Sequence, residues 1–234
     1  MTPKPTDEIQ KKLLKLGRMV ESSIMRSITA LAKQDKYLAK AVVQEDEQID
    51  RMEVEIEEQC ISFLESKHRS GDELRFVVAV LKINDALERI ADLAENIARA
   101  VSKVDDWDGF ERVTGCHQMA KRSQSMVKKS LEALMHRSTK LANEVIDDDR
   151  FVDDMRRKLG RQIADAIDNS TETAAPLLRL EYVTRQLERM ADMATNIAED
   201  VIYLIEGRIV RHPSRFDDSD VLHDGTGGRF RRVT

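Results

Sequence analysis

Residues 87–101, LERIADLAENIARAV, and residues 187–201, LERMADMATNIAEDV, decide the fold. The two stretches lie 100 positions apart without a gap and agree at ten of fifteen positions. Leu87/Leu187, Ala94/Ala194, Ile97/Ile197 and Val101/Val201 belong to a seam of alternating three- and four-residue steps, the period of a buried helical edge. Glu88/Glu188, Asp92/Asp192 and Asn96/Asn196 follow one another four apart beside that seam. The repeated seam predicts a duplicated fold, and the repeated polar stripe predicts a duplicated site.

Working outward, the first copy closes a long helix whose seam begins at Phe76 and runs through Val80, Ile83, Leu87, Ile90, Ala94 and Ile97 to Val101. Eight such positions over about 26 residues predict a helix of about 40 Å. Ser70 and Glu73 supply a capping box at its start. Before it, the spacing predicts a helix over about 6–34, with Leu13, Leu16, Val20, Ile24 and Leu31 inward. A second helix, capped by Asp35, carries Leu38, Val42, Ile49, Met52, Ile56 and Phe63 and ends near Arg69. DDWDG at 105–109 breaks the pattern, and Trp107 is expected to plug the join between halves. Three further helices follow. One covers about 110–137 with Val113, Ala120, Val127, Leu131 and Leu134 inward, and one covers 139–169 with Val145, Val152, Met155, Leu159, Ile163 and Ile167. The last follows NSTET, with Pro176 in its first turn and a seam from Leu180 through Val183, Leu187, Met190, Ala194, Ile197 and Val201 to Leu204.

The expected fold is therefore all-α: two tandem, pseudo-symmetric three-helix bundles over 1–106 and 107–211, and a flexible tail over 212–234. Composition agrees, with 35% charged residues, 4% aromatics and only nine glycines and four prolines in 234 residues. The net charge of −5 gives no reason to expect nucleic acid. The N-terminus lacks the apolar run of a signal peptide, and no stretch has the length a membrane span needs. Cys60 and Cys116 read as two reduced thiols of a cytoplasmic protein. There is no phosphate loop, nucleophile elbow or zinc motif, so the expectation is a protein that is not an enzyme.

The acidic stripes carry the functional signal. Acids four apart arise about eight times by chance in a chain this acidic, so one pair alone would be a solvated helix face. Here the pair recurs in phase. DEQIDRME at 46–53 also superposes on DRFVDDMR at 149–156, placing Asp46 on Asp149 and Asp50 on Asp153. Each half thus offers two pairs on neighbouring helices, Asp46/Asp50 with Glu88/Asp92 and Asp149/Asp153 with Glu188/Asp192. Converging carboxylates must be protonated, paired or occupied by a cation. Oxygen ligands suit hard ions, with Asn96 and Asn196 as further ligands or supporting hydrogen bonds. The solvated face remains the competing reading of the same residues.

With these residues in hand, the chain resembles the PhoU family of bacterial phosphate-transport regulators. Its signature looks like L-E-R-I-G-D-H-A-x-N-I-A-E in each half, matched here by LERIADLAENIAR and LERMADMATNIAE. The signature glycine is Ala91 and Ala191, and its histidine is Leu93 and Met193. The resemblance covers about residues 6–210 and implies two three-helix bundles with metal ions on the four acidic pairs. Iron is the ion it implies first, with zinc, manganese, magnesium or nickel as alternatives. It further implies a cytoplasmic negative regulator of phosphate uptake and of the phosphate-starvation response. Such a regulator links the ATPase subunit of a phosphate ABC transporter to a sensor histidine kinase and reaches the membrane only through those partners. The long apolar-edged helices suggest a homodimer. The rival readings are a metal-handling or redox bundle and a metal-free adaptor accessory to a phosphate carrier.

Overall fold

A computed structural model describes residues 5–65, 70–103, 114–169, 174–210, 221–223 and 229–231. Six helices account for most of them: α1 (Pro5–Lys33), α2 (Lys36–Glu65), α3 (Gly71–Ser102), α4 (Cys116–His136), α5 (Thr139–Asn169) and α6 (Ala174–Glu206). The expected helical architecture is what the structure shows. The DDWDG break, Trp107 and Val113 lie outside the described residues, as do most of NSTET and the end expected for α2 near Arg69.

Local chemistry sets the helix ends. At the start of α3, Ser70 Oγ accepts from the Glu73 amide at 3.3 Å, and the Ser70 amide donates to Glu73 Oε2 at 2.9 Å. Asp35 Oδ1 accepts from the amides of Tyr37 and Leu38 at 3.0 and 2.9 Å and so begins α2. Gln34 and Arg137, 103 positions apart, both adopt the left-handed conformation, with φ of 54° and 49°. The amide that follows each one returns to a helix carbonyl, Asp35 to Ala30 and Ser138 to Ala133, both at 2.9 Å. The α1–α2 and α4–α5 turns are thus one turn made twice. The α3 and α6 copies lie 100 apart rather than 103, so the shift in offset falls in the α2–α3 and α5–α6 connections.

Most of the seam positions read from the sequence form the core, while Leu38, Met52, Phe76, Met155 and Ile167 are half-buried and pack against its edge. Leu13, Leu16, Val20, Ile24, Ile83, Leu87, Ile90, Ile97, Met190 and Val201 are all fully buried. In each half the third helix packs on the first two, α3 on α1 and α2, and α6 on α4 and α5. The halves then join through α3 against α6 and α1 against α4. The buried apolar residues of both halves form one continuous cluster. That central position explains a second buried stripe on α3, Ala79, Ala86, Leu93 and Ala100, at seven-residue spacing about 100° round from the seam. Small residues there let helices approach closely on a second face. On α6 the corresponding positions include Gln186 and Asp200, both buried. Asp200 accepts from Lys82 Nζ on α3 at 3.4 Å, a charged tie between the two halves. Gly17 serves the α1–α4 contact: a Cβ there would meet Leu131 Cδ2 at 2.9 Å.

The sequence predicts no regular structure after 212. Two short strands, β1 (Val221–His223) and β2 (Arg229–Arg231), nonetheless pair antiparallel, with Val221 opposite Arg231 and Leu222 opposite Phe230. Apolar residues at 221, 222 and 230 flank a glycine-rich DGTGG, a hairpin pattern that the charge count of the tail obscures.

Candidate metal centre

Because α5 and α6 are packed neighbours, Asp149 and Asp153 on one face Asp192 on the other. One carboxylate oxygen from each lies within 4.8 Å of the other two. This is the one such three-ligand group among the described residues. Asp192 is an exposed residue whose carboxyl turns partly inward, and that partial burial, reinforced by Asp149, Glu188 and Asp153, pushes it up to about 6, with Arg189 acting the other way. Burial and the Asp153 charge raise Asp149 as well, with the neighbouring Thr195 hydroxyl acting the other way. Glu188, the fourth acid expected here, is drawn aside: its Oε2 stands 3.5 Å from Arg156 Nε.

In the first half, Asp46, Asp50, Glu88 and Asp92 face one another without bringing three oxygens that close. Asp46 is 8% exposed. Burial and the charges of Glu95, Asp50, Asp92 and Glu88 push its carboxyl up to about 7. Burial, Asp92, Asp50, Asp85 and Glu53 raise Glu88, and burial, Asp50 and Glu95 raise Asp92. The first site is therefore broader than the four acids read from the sequence, since Glu53, Asp85 and Glu95 act on the same groups. Their signal was present, because 46, 50, 53, 57 on α2 and 85, 88, 92, 95 on α3 continue the acidic stripes at three- and four-residue steps.

Two observations bear on whether these residues fit a metal. Asp46 Oδ1 and Asp149 Oδ1, at equivalent positions of the two repeats, are both buried without a hydrogen-bond partner. Buried carboxylate oxygens ordinarily find a donor, and a cation serves in its place. The donor set is also all oxygen, as hard cations require. The residues therefore fit an ion such as Mg²⁺, Mn²⁺ or iron, held by Asp149, Asp153 and Asp192 in one half and by Asp46 with Asp50, Glu88 and Asp92 in the other. The asparagines stand one turn further on. Asn196 donates to Met193 Sδ at 3.8 Å, and Asn96 is half-buried. Leu93, where the signature has histidine, belongs to the buried interhelix stripe and brings no donor to the acids. The chain holds one Glu-x-x-His spacing, Glu65 to His68, at the end of α2, and His68 lies outside the described residues.

A duplicated three-helix α-protein with paired carboxylate stripes on its outer hairpins is the class that fold and site define. The PhoU domain model matches residues 13–101 and again 116–201. The chain belongs to the PhoU family. It is 31% identical over 205 residues to the phosphate-specific transport system accessory protein PhoU homolog of Clostridium acetobutylicum, covering 87% of this chain and 94% of that one. It is 32% identical over 209 residues to the homolog of Aquifex aeolicus, covering 89% and 95%. The crystal structure of PhoU from Pseudomonas aeruginosa superposes with a TM-score of 0.84 at 29% identity, over 87% of this chain and 98% of that one.

Proposed function

We propose that this chain is a negative regulator of phosphate uptake and of the phosphate-starvation response, acting as an accessory protein of a phosphate-specific transport system. The match of both repeats to the PhoU domain supports this reading, because relatives similar over nearly their whole length are named accessory proteins of the phosphate-specific transport system. The chain acts in the cytoplasm as a helical adaptor between the transporter's ATPase subunit and a sensor histidine kinase, as a homodimer. Among the described residues no helix is long and apolar enough to cross a membrane, so contact with the membrane is made through those partners.

Metal ions neutralise the acidic stripes. They hold α2 to α3 and α5 to α6 in one arrangement that a partner reads. The orphaned oxygens of Asp46 and Asp149 support this part of the proposal. A reporter of the phosphate-starvation response tests the whole reading. Loss of the gene de-represses the reporter at high phosphate, the wild-type chain restores repression, and Asp92→Ala with Asp192→Ala does not. A reporter indifferent to loss of the gene would remove the regulatory reading.

A metal-free adaptor is the second reading. The pairing of Arg156 with Glu181 and Glu188 favours it in the second half, because the protein itself supplies counter-charge there.

A further inference from the structure

The two repeats are close enough in register to compare their acidic sites position by position. On α2 and α3 the site comprises Asp46, Asp50, Glu53, Glu57, Asp85, Glu88, Asp92 and Glu95, eight acids at eight positions. On α5 and α6 the equivalents are Asp149, Asp153, Arg156, Gly160, Arg185, Glu188, Asp192 and Thr195, four acids and two arginines. The cations near the first site sit at its rim: Arg89 on Asp85 at 3.1 Å and Arg99 on Glu95 at 2.5 Å, both more than half exposed.

Arg156 is placed differently. Its side chain is 13% exposed, with Nη2 2.5 Å from Glu181 Oε1 and Nε 3.5 Å from Glu188 Oε2. Glu181 stands where the first half has Leu81, and Arg185 completes the set at 3.2 Å from the same Glu181 oxygen. Gly160, one turn beyond, leaves room beside the guanidinium, for a Cβ there would meet Arg156 Nη1 at 2.9 Å and the end of the arginine side chain would have to shift. A glycine inside a helix costs about 1 kcal/mol relative to alanine. The second half accepts that cost where the first half has a glutamate.

We infer that Arg156 is a resident counter-cation that makes the two acidic sites unequal. The α5–α6 site takes a single divalent ion on Asp149, Asp153 and Asp192, while the α2–α3 site takes two or more. This inference rests on the metal-binding reading above and deepens it. Two features carry the unequal loading. In the second half Arg156 stands in ion-pair range of Glu188, at 3.5 Å, beside the three converging aspartates. In the first half Asp46 is more than nine-tenths buried and faces Asp50, Glu88, Asp92 and Glu95 with no cation inside the cluster, whereas its unpartnered Oδ1 is shared with Asp149 and marks both halves alike.

Manganese bound per chain tests it, on full-length protein stripped of metal and dialysed against Mn²⁺. Asp192→Asn loses one ion per chain, and Asp92→Asn loses at least two. In the Asp92→Asn background, where only the second site remains, Arg156→Glu raises Mn²⁺ affinity by roughly tenfold, because a cation near the ion becomes an anion. Gly160→Ala keeps every charged side chain but displaces the guanidinium, and it raises affinity in the same direction. Equal losses from the two aspartate variants would overturn the inference. So would unchanged affinity in both Arg156→Glu and Gly160→Ala with native helicity. A wild-type chain that binds no Mn²⁺ removes the metal reading together with this one, whereas symmetric binding removes this one alone.

Discussion

Asp46 concentrates the electrostatic problem of the molecule in one side chain. Its carboxyl titrates near 7 in the fold, against about 3.9 in an unfolded chain. The native state therefore holds a proton that the unfolded state has released across this window. Stability of the metal-free protein falls as pH rises from about 4 to about 7. Asp46→Asn removes the share of that dependence that Asp46 contributes, leaving the shares of the other raised carboxyls, Asp192 among them. Relative to wild type without metal, the variant should gain on the order of 2 kcal/mol between pH 5 and pH 8. Chemical denaturation at the two pH values checks it, and an unchanged difference would show that Asp46 is solvated in both states. Saturating metal should erase the gain, because the cation favours the ionised form of the wild-type carboxyl.

At the scale of elements, the third helix of each repeat carries both the core and the chemistry, and the sequence shows why both were legible. A strict apolar seam such as Val80–Ile83–Leu87–Ile90 admits one helical phase, and that phase places Glu88 and Asp92 on the flank that meets α2. The capping residues Asp35 and Ser70 were readable for the same reason, since each acts within three residues of itself. What escaped depends on residues distant in sequence. The capture of Glu188 by Arg156 joins α5 to α6 through a side chain outside the repeated pattern, and the second buried stripe of α3 shows its purpose only once α6 is in place. The close approach of α1 to α4 at Gly17 is of this kind as well. Gly17→Val places new carbon against Leu131 and should cost roughly 1–3 kcal/mol, read as a lower melting temperature with unchanged helix content. A melting temperature equal to wild type would show that Leu131 repacks freely.

At the scale of the whole molecule, the repeats are two in sequence and one in packing. Their apolar residues form a single cluster, and α3 meets α6 along with the charged tie between Lys82 and Asp200. Unfolding should therefore be one cooperative transition, with helix content and Met or Tyr probes from either half melting together. Two resolved transitions would mean that the halves are energetically separate. The same architecture puts the two acidic hairpins on one packed frame, joined through α3 and α6.

The central claim is that those hairpins are built to hold metal on oxygen. The most direct test is the metal content of the purified chain beside that of Asp92→Ala with Asp192→Ala, together with the melting shift of each on adding manganese, iron or magnesium. The expected result is bound metal and a raised melting temperature for the wild-type chain, and loss of both in a variant that keeps its helix content. A wild-type chain free of metal, with a melting temperature indifferent to all three ions, would contradict it.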